Sequence, residues 1–200
     1  MDKGRIRVVS GEPLRRRRLV VLFRAVLAVP HYVVLFVWAL LALPVLGVGW
    51  AAALLRGQLP QRVHRFLAAY LSYSGQVAAW LDLLSARYPR PHRTGEHPFA
   101  IEVPERERQR RLVTLLRIPL AVPAIVLASV FAVILTTVTI GAWFVALVLG
   151  RTTAGLQELG TFCLRYHLET SAYVFLLTSH YPKLAPAAPP AEQLLIPGFE

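Results

Sequence analysis

Histidine is the residue type in this sequence best suited to acid–base chemistry, and His31 is the most informative of the six histidines. It follows Pro30 at the start of an uncharged apolar run, where an ionisable group is a functional candidate by default. Tyr32 is the neighbouring polar group. No Asp or Glu lies near His31 in the sequence to orient its ring, which favours a structural or interfacial role over catalysis. His31 and Tyr32 are therefore the candidate functional residues.

The sequence contains few residues that could form another kind of reactive site. Asp2 and Asp82 are the two aspartates of the sequence, which leaves little material for a Ser-His-Asp arrangement or a paired-aspartate metal site. The histidines lack the His-x-x-x-His or Glu-x-x-His spacing of a helical metal site. Cys163 and His167 are one helical turn apart, which can activate a thiolate but often arises by chance. We predict no catalytic residue, no metal site and no cofactor.

Arginine supplies most of the charge, and its placement points to membrane lipid. The sequence holds 22 Lys plus Arg against 11 Asp plus Glu, a formal net charge of +11. This balance suits either an anionic membrane face or nucleic acid. Arginines directly before an apolar run are typical of topogenic or lipid-bound segments, so we expect no nucleic acid. The predicted lipid-binding residues are Arg17, Arg18, Arg24, Arg110, Arg111 and Arg117.

Two long apolar runs, residues 19–55 and 112–149, must position these side chains. With 56% hydrophobic and 16% charged residues, the chain is too apolar for a typical soluble enzyme. Each run is long enough to cross a bilayer, and the first far exceeds the core of a signal peptide. The single cysteine excludes an internal disulfide framework.

The two halves of the chain form a tandem repeat. Pro30 aligns with Pro123 and Gly57 with Gly150, in each case at an offset of 93 positions without a gap. Chance similarity between two apolar runs explains matched Leu and Val. It does not explain aligned Arg, Gly and Trp residues or the shared Tyr-Pro dipeptide. We therefore predict a duplication in which both copies share one fold.

Each repeat is predicted to contain three pieces. In the first copy, residues 14–29 form a basic amphipathic helix in the headgroup layer, which Pro30 interrupts. Residues 31–55 form an uncharged helix for one tilted crossing, the alternative being a hairpin of two short passes. The third piece, from Gly57 to Tyr88, is an amphipathic helix that lies at the interface or packs in a bundle.

The fold class is thus an all-α integral membrane protein, with the number of crossings open. Turn chemistry favours single passes, whereas the distribution of Lys and Arg favours an even number with both termini cytoplasmic. The predicted organisation is an N-terminal tail (1–13), a first membrane repeat (14–89), a Pro-rich charged linker (90–107), a second repeat (108–182) and a Pro-rich tail (183–200).

Three motifs stand in order in the first half: Ala28-Val29-Pro30-His31-Tyr32, Leu55-Arg56-Gly57-Gln58-Leu59-Pro60 and Arg87-Tyr88-Pro89. In this the chain resembles a bacterial membrane family catalogued as a domain of unknown function, number four-three-eight-nine. The second half matches more weakly, since Val122-Pro123 lacks the histidine. The resemblance implies a membrane location and a repeat structure. Because the family has no assigned activity, it implies no reaction.

Two functions from different classes are consistent with the sequence. The first is a non-enzymatic accessory or scaffold subunit of a membrane assembly that contacts anionic lipid and binds another membrane protein or a second copy. The alternative is a lipid-modifying enzyme or small transporter that uses His31. The shortage of acid–base residues favours the first. In either case we expect a multi-pass protein of the bacterial inner (plasma) membrane.

Overall fold

The long apolar runs fold as helices in the computed structural model, which describes residues 7–8, 18–85, 87–90, 101–102 and 111–184. Within these ranges the chain forms four helices, α1 (Arg18–Arg56), α2 (Gln61–Leu81), α3 (Arg111–Leu149) and α4 (Ala154–Val174). Two short strands, β1 (Arg7–Val8) and β2 (Ile101–Glu102), pair antiparallel. The predicted helical class and the repeated organisation are confirmed.

The helices α1 and α3 each run without interruption for 39 residues. The predicted separate basic helix before Pro30 is therefore wrong, and the alternative of a hairpin within the run is excluded. Pro30 and Pro44 lie inside α1, and Pro119 and Pro123 lie inside α3. A proline removes one backbone donor at a cost of about 3 kcal/mol. A long apolar helix continues through it because propagation on both sides is cooperative.

Each repeat is an antiparallel helical hairpin. At one end, the turn after α1 packs on α1 itself, since a Cβ atom added at Gly49 would lie 2.9 Å from Cδ1 of Leu59. At the other end, Arg24 near the start of α1 reaches Ser85, just beyond α2. The hairpin of α3 and α4 is built in the same way.

Backbone geometry repeats at the offset of the duplication. Gly57 and Gly150 end the long helices with φ of 68° and 69°, the left-handed conformation that glycine adopts without strain. Leu83 and Leu176, which follow α2 and α4, both have φ of 61°. Two non-glycine residues share this uncommon conformation because the same helix-ending motif closes both hairpins.

The second hairpin is inverted relative to the first. Nε1 of Trp143, near the end of α3, donates a hydrogen bond of 2.8 Å to the carbonyl oxygen of Val21, near the start of α1. Phe175, which follows α4, packs on Tyr70 in the middle of α2 with ring centroids 5.9 Å apart. The end of α3 thus lies beside the start of α1, and the two long helices run antiparallel.

Apolar side chains cover the outside of α1 and α3. Buried positions on α1 recur every three or four residues, as at Val21, Arg24, Ala28 and His31, and form a single stripe. Among the described residues, all but four of the large exposed apolar side chains lie on these two helices, the exceptions being Tyr88, Leu159, Tyr181 and Leu184. Two segments, Val21–Arg56 and Val113–Leu149, are long and apolar enough to span a membrane.

Candidate functional site

Arg24 and Arg117 lie inside the helical bundle. Their side chains are 3% and 1% exposed. Nη2 of Arg24 donates to the carbonyl oxygen of Ser85 at 3.0 Å, and Nη2 of Arg117 donates to that of Thr178 at 2.7 Å. The prediction that these two arginines face the lipid headgroups is wrong. Each instead donates to a carbonyl just beyond the C-terminal end of the other helix of its hairpin, where carbonyls lack intrahelical partners.

Aromatic rings complete this arrangement in both repeats. The guanidinium carbon of Arg24 lies 4.7 Å from the ring centroid of Trp80, and that of Arg117 lies 4.3 Å from Tyr173. The ring faces and the negative end of the helix dipole favour a buried cation at this place. We call each set an arginine clamp: Arg24, Trp80 and Ser85 in the first repeat, and Arg117, Tyr173 and Thr178 in the second.

The side chains of the other four predicted lipid-binding arginines lie outside the part of the chain that the structure describes. Arg17 and Arg110 lie outside the described residues. Arg18 and Arg111 begin α1 and α3, but their side chains are also outside the described part of the chain. Exposed arginines that the sequence did not single out for lipid binding lie at the turn between α1 and α2, namely Arg56, Arg62 and Arg65.

His31 lies two helical turns after Arg24 and is 7% exposed. Its Nδ1 is 2.6 Å from the hydroxyl oxygen of Tyr73 on α2. Tyr88 and Trp80 lie against the imidazole, with ring centroids 4.6 Å and 6.2 Å from it. Nε2 is buried and has no hydrogen-bond partner among the described residues. Thus His31 borders the arginine clamp and shares Trp80 with it.

The two candidate residues predicted from the sequence, His31 and Tyr32, point in different directions in the hairpin. Consecutive residues of an α-helix point about 100° apart, so burial of His31 turns Tyr32 outward. The Tyr32 side chain is 52% exposed. The partner of His31 is Tyr73, 42 positions away, which sequence reasoning did not connect with it. A signal was available in the repeat itself, because the offset of 93 positions also aligns Tyr73 with Tyr166.

The second repeat keeps the tyrosine and lacks the histidine. Ala124 stands at the position of His31 and is fully buried. Tyr166 packs on Phe131, with ring centroids 5.0 Å apart. The arginine clamp is therefore common to both hairpins, whereas the His–Tyr pair occurs in the first hairpin alone.

Comparison with known proteins agrees with this division. The profile of the domain of unknown function DUF4389 matches residues 18–93 and 111–185, which contain both hairpins. The chain belongs to the DUF4389 family, in two tandem copies. Its two matches begin 93 positions apart, at residues 18 and 111. Searches of curated proteins and of solved structures found no match.

Asp82 joins the first DUF4389 copy to the second. Its Oδ1 accepts a hydrogen bond of 2.9 Å from Oγ1 of Thr139 on α3. Burial raises the pKa of Asp82 to about 6, although the Thr139 hydrogen bond and the charge of Arg24 act in the opposite direction. At neutral pH the carboxylate is charged at a costly position, which makes this contact sensitive to pH.

The remaining reactive groups of the DUF4389 copies lie apart from the His–Tyr pair. Cys163 is buried, and burial raises the pKa of its thiol, which disfavours the thiolate. His167 is exposed, although it lies one turn further along α4. Within the described ranges, no group of three or more His, Cys, Asp or Glu side chains is placed to hold a metal ion.

Proposed function

We propose that this protein is a non-enzymatic integral membrane protein of the bacterial plasma membrane, acting as a scaffold or accessory subunit of a membrane assembly. The observation that carries the proposal is the apolar outer surface of α1 and α3. Contiguous apolar surfaces much larger than a few hundred Å² are rare on soluble monomers and mark contact with lipid or protein. A helix with apolar residues on all its outward sides needs an apolar surrounding.

The interior of each hairpin supports a structural role. In each arginine clamp the guanidinium group donates to a carbonyl beyond the end of a helix, so this charge is bound within the fold. In general acid–base catalysis, a histidine is held by a partner that turns its ring towards a substrate. The partner of His31 is the Tyr73 hydroxyl on α2, and this contact joins the two helices of the hairpin. The geometry thus favours a rigid unit that presents surfaces to neighbours.

Open glycines on the long helices favour a helical neighbour as the partner. A Cβ atom added at Gly47 on α1 or at Gly141 on α3 would meet nothing within 4 Å. Small residues let a second transmembrane helix approach closely. Another membrane protein or a second copy of this chain fits such a surface.

Isolation from the native membrane tests the scaffold function. Mild detergent extraction after crosslinking should recover the protein with one reproducible membrane partner or as an oligomer. Gly47→Leu should lose that partner, whereas Leu41→Ala, at an exposed site on another face of α1, should retain it. Recovery of a monomer alone at every crosslinker concentration would contradict the proposal.

A lipid-modifying enzyme or transporter is the second candidate, and the buried Nε2 of His31 without a described partner is the observation that favours it. Purified protein in vesicles should then turn over a phospholipid or move a solute, and His31→Ala should stop this activity. Full activity in His31→Ala would exclude the role of this histidine.

A further inference from the structure

The two hairpins are connected between opposite ends of the bundle. The first hairpin ends beside the start of α1, where Arg24 contacts Ser85. The chain stays at this end as far as Arg90, whose backbone N–H donates to Oε1 of Gln76 on α2 at 3.3 Å. Since α3 runs antiparallel to α1, α3 begins at the far end. Arg90 and Arg111, the described residues on either side of the connection between the hairpins, therefore lie at opposite ends of the bundle.

This connection is incompatible with helices that stand upright in a bilayer. Between residues 91 and 110 the sequence contains four arginines and four glutamates. Upright helices would draw this segment through the hydrocarbon layer, where each charge costs several kcal/mol and backbone groups lose water as a partner. The chain path thus argues against the multiple crossings that the apolar runs suggest.

The length of the helices leads to the same conclusion. At about 1.5 Å per residue, a helix of 39 residues extends for roughly 58 Å, whereas the hydrocarbon core is about 30 Å thick. A helix that lies parallel to the membrane has no such limit. Its diameter of about 10 Å fits within the acyl layer of one leaflet.

Polar groups occur halfway along the second pair of helices. Phe162 of α4 packs on Phe131, in the middle of α3, and Arg165 lies one turn further along α4. Arg165 pairs with Glu169 at 3.8 Å, and Glu169 also accepts a hydrogen bond from the backbone N–H of Lys183. In an upright bundle these charges would lie near the middle of the bilayer.

We infer that the bundle lies in the plane of the membrane, with α1 and α3 inserted into the acyl layer of one leaflet and α2 and α4 towards the water. Most of the exposed α1–α3 surface thus contacts the acyl chains of a single lipid leaflet, and a helical neighbour at Gly47 or Gly141 would lie in that same leaflet. The inference rests on the proposed membrane location and deepens it.

Site-directed cysteine labelling tests this orientation. In full-length protein carrying Cys163→Ala, single cysteines are placed by Gln61→Cys and Arg87→Cys, at opposite ends of the first hairpin. A membrane-impermeant maleimide is added to intact and to lysed cells, and labelling in denaturant gives the total. We expect both sites to react from the same side, and a cysteine introduced by Leu40→Cys on α1 to stay unlabelled until denaturation.

The second hairpin provides an independent pair, Ala154→Cys and His180→Cys, which should also react from that side. Reaction of the two ends of either hairpin from opposite sides would overturn the inference and leave the membrane location intact. Carbonate extraction of the same membranes separates the two proposals, because release of the protein into the soluble fraction would contradict the membrane location itself.

Discussion

Among single residues, the two buried arginines show how a basic side chain in an apolar chain can hold two helices together. The Arg24 and Arg117 side chains each donate to a carbonyl beyond the end of a helix and lie over an aromatic ring. A charged donor at such a place contributes more than a neutral hydrogen bond. Removing it leaves a buried acceptor without its partner.

Arg117→Met should therefore lower the free energy of unfolding by roughly 2–4 kcal/mol, because the Thr178 carbonyl loses a charged donor and the Tyr173 ring loses its cation. Arg117→Lys should recover only part of this loss, since an ammonium group cannot lie flat on the ring as a guanidinium does. Denaturant titration in detergent measures both. The exposed Arg62→Gln serves as the control, and an equal loss in that variant would refute the clamp.

The His31–Tyr73 pair is expected to stabilise the first hairpin. His31→Ala, which copies the alanine of the second repeat, should cost about 1–2 kcal/mol, since the buried Tyr73 hydroxyl loses its partner. Tyr73→Phe should cost a similar amount. The double variant should lose less than the sum of the two, with a coupling of at least about 0.5 kcal/mol. Additive losses in thermal or chemical unfolding would show that the hydrogen bond contributes nothing.

Asp82 predicts a pH dependence of a defined sign. Its pKa is about 6 in the fold against 3.8 for an unperturbed aspartate, so the folded state binds the proton more tightly. Stability should fall as the pH rises from about 4 to above 6, by on the order of 3 kcal/mol. Asp82→Asn keeps an acceptor for Thr139 and should remove this slope, giving a higher Tm at pH 7.5. Identical pH profiles for the two proteins would contradict the assignment.

At the scale of elements, the two glycines of α1 distinguish contact within the hairpin from contact outside it. A Cβ atom at Gly49 would lie 2.9 Å from Leu59 and 3.1 Å from Val63, whereas one at Gly47 would meet open space. Gly49→Leu should therefore destabilise the hairpin by about 1–3 kcal/mol through overpacking. Gly47→Leu should leave the Tm of the isolated protein nearly unchanged. A loss of the same size in both variants would indicate a general effect on helix α1.

The prolines show why helix ends were misplaced from sequence alone. The sequence predicts a helix boundary at Pro30, yet Pro30 and its repeat counterpart Pro123 are both internal to helices of 39 residues. A proline costs one hydrogen bond and some steric strain, which a helix of 39 residues can accommodate because its hydrogen bonds on both sides of the proline form cooperatively. Glycine was the better signal, because Gly57 and Gly150 adopt the positive φ that ends each helix.

At the scale of the whole molecule, the inverted repeats place unlike charges at the two ends of the bundle. Arg62 and Arg65 begin α2, whereas Gly155 and Glu158 hold the equivalent positions in α4. Since the hairpins are antiparallel, the two turns lie at opposite ends. We expect anionic lipid to bind at the arginine-bearing turn, because phosphate groups there meet exposed basic side chains.

Arg62→Gln with Arg65→Gln should thus lower the anionic lipid retained after purification, by about 1 kcal/mol of binding energy per charge near the membrane surface. Arg90→Gln with Lys183→Gln removes the same charge elsewhere and should retain more. Mass spectrometry of extracted lipid provides the measurement, and the difference should shrink at high salt. Equal lipid content in the two double variants would place the contact elsewhere.

The helical class, the duplication and the apolar character of the two long helices could all be predicted before any contact was known. These follow from composition and from the offset of 93 positions, which are properties of the chain before it folds. The burial of Arg24, the contact of Tyr73 with His31 and the inversion of the second hairpin became visible only in the folded chain. The physical reason is that the surroundings of a side chain on a helix depend on which neighbour packs against that face. In an apolar helix, sequence periodicity carries almost no information about that choice.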